Sequence, residues 1–194
     1  MRGARWCALT GCAGLVTSVL VAVAGPASAS ATPARVQLRG SRAPAAARSH
    51  PDGSVSATSK VSFDLVLSLK NAAAAQAFVK EVSEPGSADY HHFLSDAQWT
   101  ARFGPSASEV SAARAWLRSS GFSVGAVPGD RLFVPAAGTA LSVEKAFSVK
   151  LGYYLVNGSR VRLASGSLSI PSSLSGSVTE AARQLMEFTA GLES

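Results

Sequence analysis

The stretch Val61-Ser62-Phe63-Asp64-Leu65-Val66-Leu67-Ser68-Leu69-Lys70 decides the fold. Val61, Phe63, Leu65, Leu67 and Leu69 alternate with Ser62, Asp64, Ser68 and Lys70, the two-residue period of a strand with one face in a core and one in water. Only Val66 interrupts the polar side. Asn71 then offers a cap for a helix whose Ala74, Phe78 and Val82 form one stripe, and Pro85-Gly86 stops it.

Downstream, Tyr90 to Leu94 reads as a connector and Ser95-Asp96-Ala97-Gln98-Trp99 as a short helix ending near Gly104-Pro105. Ser106-Ala107-Ser108-Glu109 is a capping box, followed by Val110, Ala113 and Leu117 at helical spacing as far as Gly121. Phe122 to Val127 and Arg131 to Pro135 read as extended arms joined through Pro128-Gly129-Asp130. Gly138-Thr139 opens a helix with Val143 and Phe147 on one side, and Asn157-Gly158 joins Leu151–Val156 to Ser159–Leu163 as a hairpin. The order strand, helix, helix, strand, strand, helix, strand predicts an α+β fold. It is a ferredoxin-like antiparallel sheet with helices packed on one face, plus an extra helical insert. The other face of such a sheet is free, and is normally polar.

Outside this unit the composition changes. Residues 30–60 are rich in Ala, Ser, Pro, Gly and Arg with few large apolar side chains, which predicts a flexible basic arm. Residues 1–29 have the pattern of a signal peptide: Arg2 and Arg5, an apolar run from Leu15 to Ala24, and the small-x-small site Ala27-Ser28-Ala29. That run is about half of what a bilayer-spanning helix needs. The domain plan is therefore 1–29 leader, 30–60 arm, 61–165 folded domain, and 166–194 exit segment with a helix over Val178 to Phe188. Both cysteines, Cys7 and Cys12, lie in the leader, so the exported part has no thiol for a disulfide or a soft-metal site. The net charge of +6 comes from the leader and arm, since residues 61–194 carry eleven Lys/Arg against eleven Asp/Glu. That balance argues against nucleic acid as a partner.

Catalytic patterns are thin. Gly121-Phe122-Ser123-Val124-Gly125 matches the G-x-S-x-G nucleophile elbow, but the elbow sits between a strand and a following helix, and here a helix precedes and a strand follows. No His occurs after His92, where the elbow's partner belongs. Asp89, His91 and His92 are too close in sequence to converge readily on one ion. No phosphate loop, dinucleotide fingerprint or recognisable carboxylate pair is present, so catalytic, cofactor and metal residues are each expected to be none.

Several short motifs in order resemble the pro-kumamolisin activation domain of the sedolisins, the serine-carboxyl peptidases. They are Tyr90-His91-x-Phe93-Leu94, Phe103-Gly104-Pro105, Trp116-Leu117 with Gly121-Phe122, Gly138-Thr139, Glu144 with Phe147, and Ile170-Pro171. The resemblance implies a ferredoxin-like pro-domain that covers the catalytic domain of an acid-active endopeptidase, assists its folding and blocks its cleft until removal. It also implies that residues 165–177 run toward the active site as a poor substrate. The Glu/Asp pair, Ser-Gly-Thr-Ser motif and calcium site of the family's catalytic domain are not found before Ser194.

The expected function is thus an exported, non-catalytic pro-domain acting as inhibitor or chaperone, its partner a sedolisin-type catalytic domain in trans or lost. No membrane contact is expected after leader cleavage. Acidification is expected to weaken the complex through Asp64, Asp89 and Glu144, with reference pKa values near about 4, and His91, near about 6.5. The alternatives are an exported ligand- or protein-binding module on a common fold, and the remnant of a truncated peptidase gene.

Overall fold

The computed structural model describes residues 34–178 and the backbone of 188–189. The leader lies outside the described residues, as do 179–187 of the expected C-terminal helix. The deciding stretch forms strand β3, Lys60–Val66, after three short N-terminal elements: β1 (Arg35–Gln37), α1 (Pro44–Arg48) and β2 (Pro51–Ser54). Val61, Phe63, Leu65 and Leu67 are buried, while Ser62 is exposed and Asp64 and Val66 are half-buried, so the two-residue period sets the inward face. Asn71 accepts a hydrogen bond from the Ala74 N–H and caps α2, Ala72–Ser83, which buries Ala75, Phe78 and Val82.

Two capping boxes start the next helices. In α3, Asp96–Phe103, Ser95 and Gln98 satisfy each other's backbone N–H groups. Ser106 and Glu109 do the same for α4, Ala107–Ser119, whose Val110, Ala113 and Leu117 are buried as the spacing predicts. Gly121 ends α4 at φ +86°, donating to the Arg118 carbonyl, while Phe122 N–H reaches the Leu117 carbonyl. This paired closure needs a left-handed residue, which glycine supplies without Cβ strain. It also delivers Phe122 into the core.

Strand β4 is shorter than expected, Ser123–Val124, and it pairs with Ala136–Ala137 of β5, Phe133–Thr139. The connection therefore runs over 125–132. Thr139 caps α5, Ala140–Phe147, while Gly138 lies in β5 and not at the helix start. Strands β6 (Leu151–Val156) and β7 (Ser159–Ala164) form the expected hairpin, with Asn157 and Gly158 both at positive φ.

The architecture is α+β with antiparallel sheets. Strands β3 and β4 both run antiparallel to β5, which lies between them, and α4 crosses over, the split βαβ arrangement expected. The expected single sheet is instead divided into three: β3-β5-β4, β2-β6-β7-β9 and β1-β8. After α5, β6 takes β2 and β7 as its hydrogen-bonded neighbours. Strand β8 is Ser169–Pro171 and β9 is Phe188–Thr189, so Phe188 is extended where a helix was expected.

The flexible arm is likewise corrected for its described part. Residues 35–37 pair with 169–171, and 51–54 pair with β6. Leu38 and Ala43 are buried in the main core, so the arm's few apolar residues suffice to dock it. That core joins β3, β5, α4, α5, β6, β7 and β8, and α2 and α3 share a second cluster of Ala75, Phe78, Val82 and Phe103. Arg102 lies over the Phe78 and Phe103 rings at 4.9 and 5.0 Å and covers it from the solvent side.

Candidate functional site

The motif residues do not converge on one pocket; most hold the frame. Phe122 and Phe147 pack with Phe63 and Trp116, with edge contacts at 5.2 Å for Phe63–Phe122 and 5.3 Å for Trp116–Phe147. Leu117 is fully buried beside them. Gly138 makes room for this group, since a Cβ there would stand 2.5 Å from Phe122 Cδ1. Phe103 is buried, Pro105 is among the most buried side chains, and Gly104 closes α3 by donating to the Thr100 carbonyl.

Glu144 ties the end of α5 to β6, accepting from the Leu151 N–H at 2.9 Å and from Lys150 Nζ at 3.0 Å. Burial pushes its pKa up, but the Leu151 and Lys150 bonds outweigh this and hold the carboxyl below its ordinary value. Glu109, which sequence reasoning placed only as a cap, is also lowered. Its largest cause is the Ser106 hydroxyl, with Ser177 Oγ adding a bond at 3.1 Å from the exit segment. Both folded pKa values lie below the unfolded ones, so both contributions are complete above the unfolded carboxylate pKa and disappear as pH falls through the folded pKa. Thermal midpoints should therefore drop below about pH 5. Glu144→Gln, which keeps an acceptor for Leu151, should flatten that drop. A profile as steep as wild type would show that Glu144 contributes nothing.

Three surfaces can face a partner. The first is the open face of β3-β5-β4, where Ser62, Asp64 and Val66 stand opposite Ala137, Pro135 and Phe133. It has one carboxylate, and Phe133 and Val66 give it an apolar end, less polar than expected. The second is the connector. His91 has φ +63°, and its ring stacks on Tyr90 at 3.8 Å and lies 5.9 Å from Phe93, which is 68% exposed. Leu94 instead packs against the second core cluster. His92 and Asp89 are an exposed pair at 4.0 Å. Among the described residues no group of three or more His, Cys, Asp or Glu is placed to hold a metal ion. Ser123 lies on β4, preceded by α4, so the elbow context is absent.

The third surface is the exit segment, and here the structure departs from expectation. Leu168 and Ile170 are fully buried, and β8 is paired to β1 with Val36 opposite Ile170 and Arg35 opposite Pro171. Arg35 donates to Ser169 Oγ at 3.0 Å, to the Ser169 carbonyl at 2.6 Å and to the Ala146 carbonyl. Ser41, wholly buried, accepts from Leu168 N–H and donates to the Leu38 carbonyl. Within 165–177 the side chains of Leu168, Ser169, Ile170 and Leu174 are buried, so only Ser165, Ser172, Ser173, Ser175 and Gly176 stand exposed to a partner. Arg35, Ser41 and Ser169 were missed in the sequence. The one local signal was the alternation of Val36 and Leu38 with Arg35 and Gln37, too short to stand out beside the arm's composition.

The family described as "Pro-kumamolisin, activation domain" matches residues 47–180. Xanthomonalisin of Xanthomonas sp. (strain T-22) is 36% identical over 115 residues, 59% of this chain and 14% of that protein. Sedolisin of Pseudomonas sp. (strain 101) is 36% identical over 93 residues, 47% of this chain and 16% of that protein. The chain thus spans only a small part of the length of these curated relatives.

Proposed function

From the premise that this chain belongs to the pro-kumamolisin activation domain family, shown by a match over residues 47–180, we propose that it acts as an exported, non-catalytic inhibitor and folding partner of a sedolisin-type peptidase domain. The observation that carries this reading is the sheet β3-β5-β4, covered by α4 and α5 on one side and open on the other within the matched region. A protein that binds only the native peptidase stabilises it by mass action, and one that covers surface exposed during slow folding also suppresses aggregation. Export rests on the leader pattern of residues 1–29. No helix among the described residues is long and apolar enough to cross a membrane.

The buried exit strand refines the proposal. The stretch 165–177 can offer a cleft only its exposed positions, because Leu168, Ile170 and Leu174 belong to the core. Mixing the purified domain with an acid-active serine-carboxyl peptidase at neutral pH should give a complex and inhibition, both weakening as pH is lowered. Neither complex nor inhibition at neutral pH would overturn the reading.

A further inference from the structure

Helix α4 carries Arg114 and Arg118 one turn apart, and the 125–132 connection brings Arg131 to the same groove. This open groove, about 520 Å³, is floored by Val110 and walled by Val127 and Pro128. Among the described residues the ion pairs lie elsewhere, at Lys80–Glu84, His92–Asp89, Lys150–Glu144 and Arg160–Asp52. Glu109, at the start of α4, is held by Ser106 and Ser177, and Asp130 accepts from the Leu132 N–H. Arg114 Nε is buried with no hydrogen-bond partner among the described residues, a condition proteins rarely leave unanswered.

The cluster is local. Residues 61–194 are charge-balanced, so three arginines on a groove whose lining has no Asp or Glu are not a by-product of general basicity, although Arg131 also borders the adjoining groove that Asp96 and Asp130 line. Guanidinium forks pair bidentately with carboxylates and phosphates. Val127 and Pro128 add apolar contact that a bare inorganic anion cannot use. A nucleic acid would need an extended basic track, which a neutral domain does not offer.

We propose that this groove binds a peptide segment in which carboxylate side chains alternate with apolar ones, presented by the peptidase domain of the previous section. The partner's identity rests on that reading; the ligand chemistry rests on the groove itself. Carboxylates would sit between Arg118 and Arg131 and reach toward Arg114, with apolar neighbours on Val127 and Pro128.

The test titrates the whole chain with an alternating Glu-Leu octapeptide, followed by amide NMR, beside inorganic phosphate and a single-stranded oligonucleotide. The peptide should shift amides of 107–118 and 127–131. Affinity should fall about tenfold in Arg118→Gln/Arg131→Gln and comparably at high salt. Arg160→Gln, on the β6–β7 hairpin, should bind as wild type does. Peptide that leaves these amides unmoved overturns the proposal, as does phosphate or oligonucleotide binding as tightly at the same residues. In the inhibition assay the double variant should be about tenfold weaker than wild type. Full inhibition by that variant removes the groove but leaves the inhibitor reading standing, whereas a wild-type chain that neither binds nor inhibits removes both.

Discussion

Phe147→Ala is expected to destabilise the domain by about 3–5 kcal/mol, the range for removing a large buried ring. Phe147 is 0% exposed, and its ring meets Phe63 at 5.6 Å, Trp116 at 5.3 Å and Phe122 at 6.5 Å. These partners come from β3, α4 and the residue before β4, so the ring is where the sheet and both crossover helices lock together. A rigid frame of this kind closes poorly around a deleted side chain, which puts the cost toward the upper end. For a domain of this size the thermal midpoint should fall by about 2–4 °C per kcal/mol. Phe93→Ala is the comparator, because that ring is 68% exposed and should change stability by less than about 0.5 kcal/mol. Denaturant unfolding in which Phe147→Ala loses under about 1 kcal/mol would contradict the packing described here.

Gly138→Ala should also be severe for a methyl group, about 1–3 kcal/mol from overpacking. The new Cβ would meet Phe122 Cδ1 at 2.5 Å and Cε1 at 2.9 Å, distances that side chains do not occupy. Phe122 has little room to retreat, being 4% exposed and held edge-on by Phe63 at 5.2 Å. The strain falls instead on β5, whose register sets Gly138 opposite Val61. Combining Gly138→Ala with Phe122→Leu should cost less than the sum of the two, since the smaller side chain vacates the contested space. Gly166→Ala, with nothing within 4 Å of its Cβ position, should be near neutral. Strict additivity of the Gly138 and Phe122 changes would rule out this contact as the cause.

These two residues also show why the family was legible and the open sheet face was not. The motifs that carry the resemblance are largely residues the core cannot replace: Phe122 with the glycine beside it, Phe147, Leu117, and the caps at Thr139 and Gly121. Such positions reveal the frame, whereas the open sheet face of Ser62, Asp64, Ala137 and Pro135 has no chemistry that stands out in a linear string. Of the four groups expected to respond to acid, Glu144 has its response set by a hydrogen bond from Leu151, seven residues away across a turn. Glu109 is lowered first by Ser106, three residues before it in the capping box, and gains a further bond from Ser177, sixty-eight residues on. Neither the Leu151 nor the Ser177 bond is visible in local spacing.

The sequence by itself determined whatever is settled within one turn or one strand. The alternation of β3, the Ser106–Glu109 box, the Asn71 cap and the Asn157-Gly158 hairpin each depend on residues a few positions apart, whose competing conformations are few. Only the tertiary structure decided that residues 35–43 are part of the domain, that β8 is buried against them, and that the strands divide into three sheets. Those choices join chain segments up to 138 residues apart through backbone bonds and the side chains of Arg35 and Ser41. Backbone hydrogen bonding is the same for every residue type, so strand partners are selected by which apolar faces can be buried together, a property of the assembled core rather than of any stretch within it.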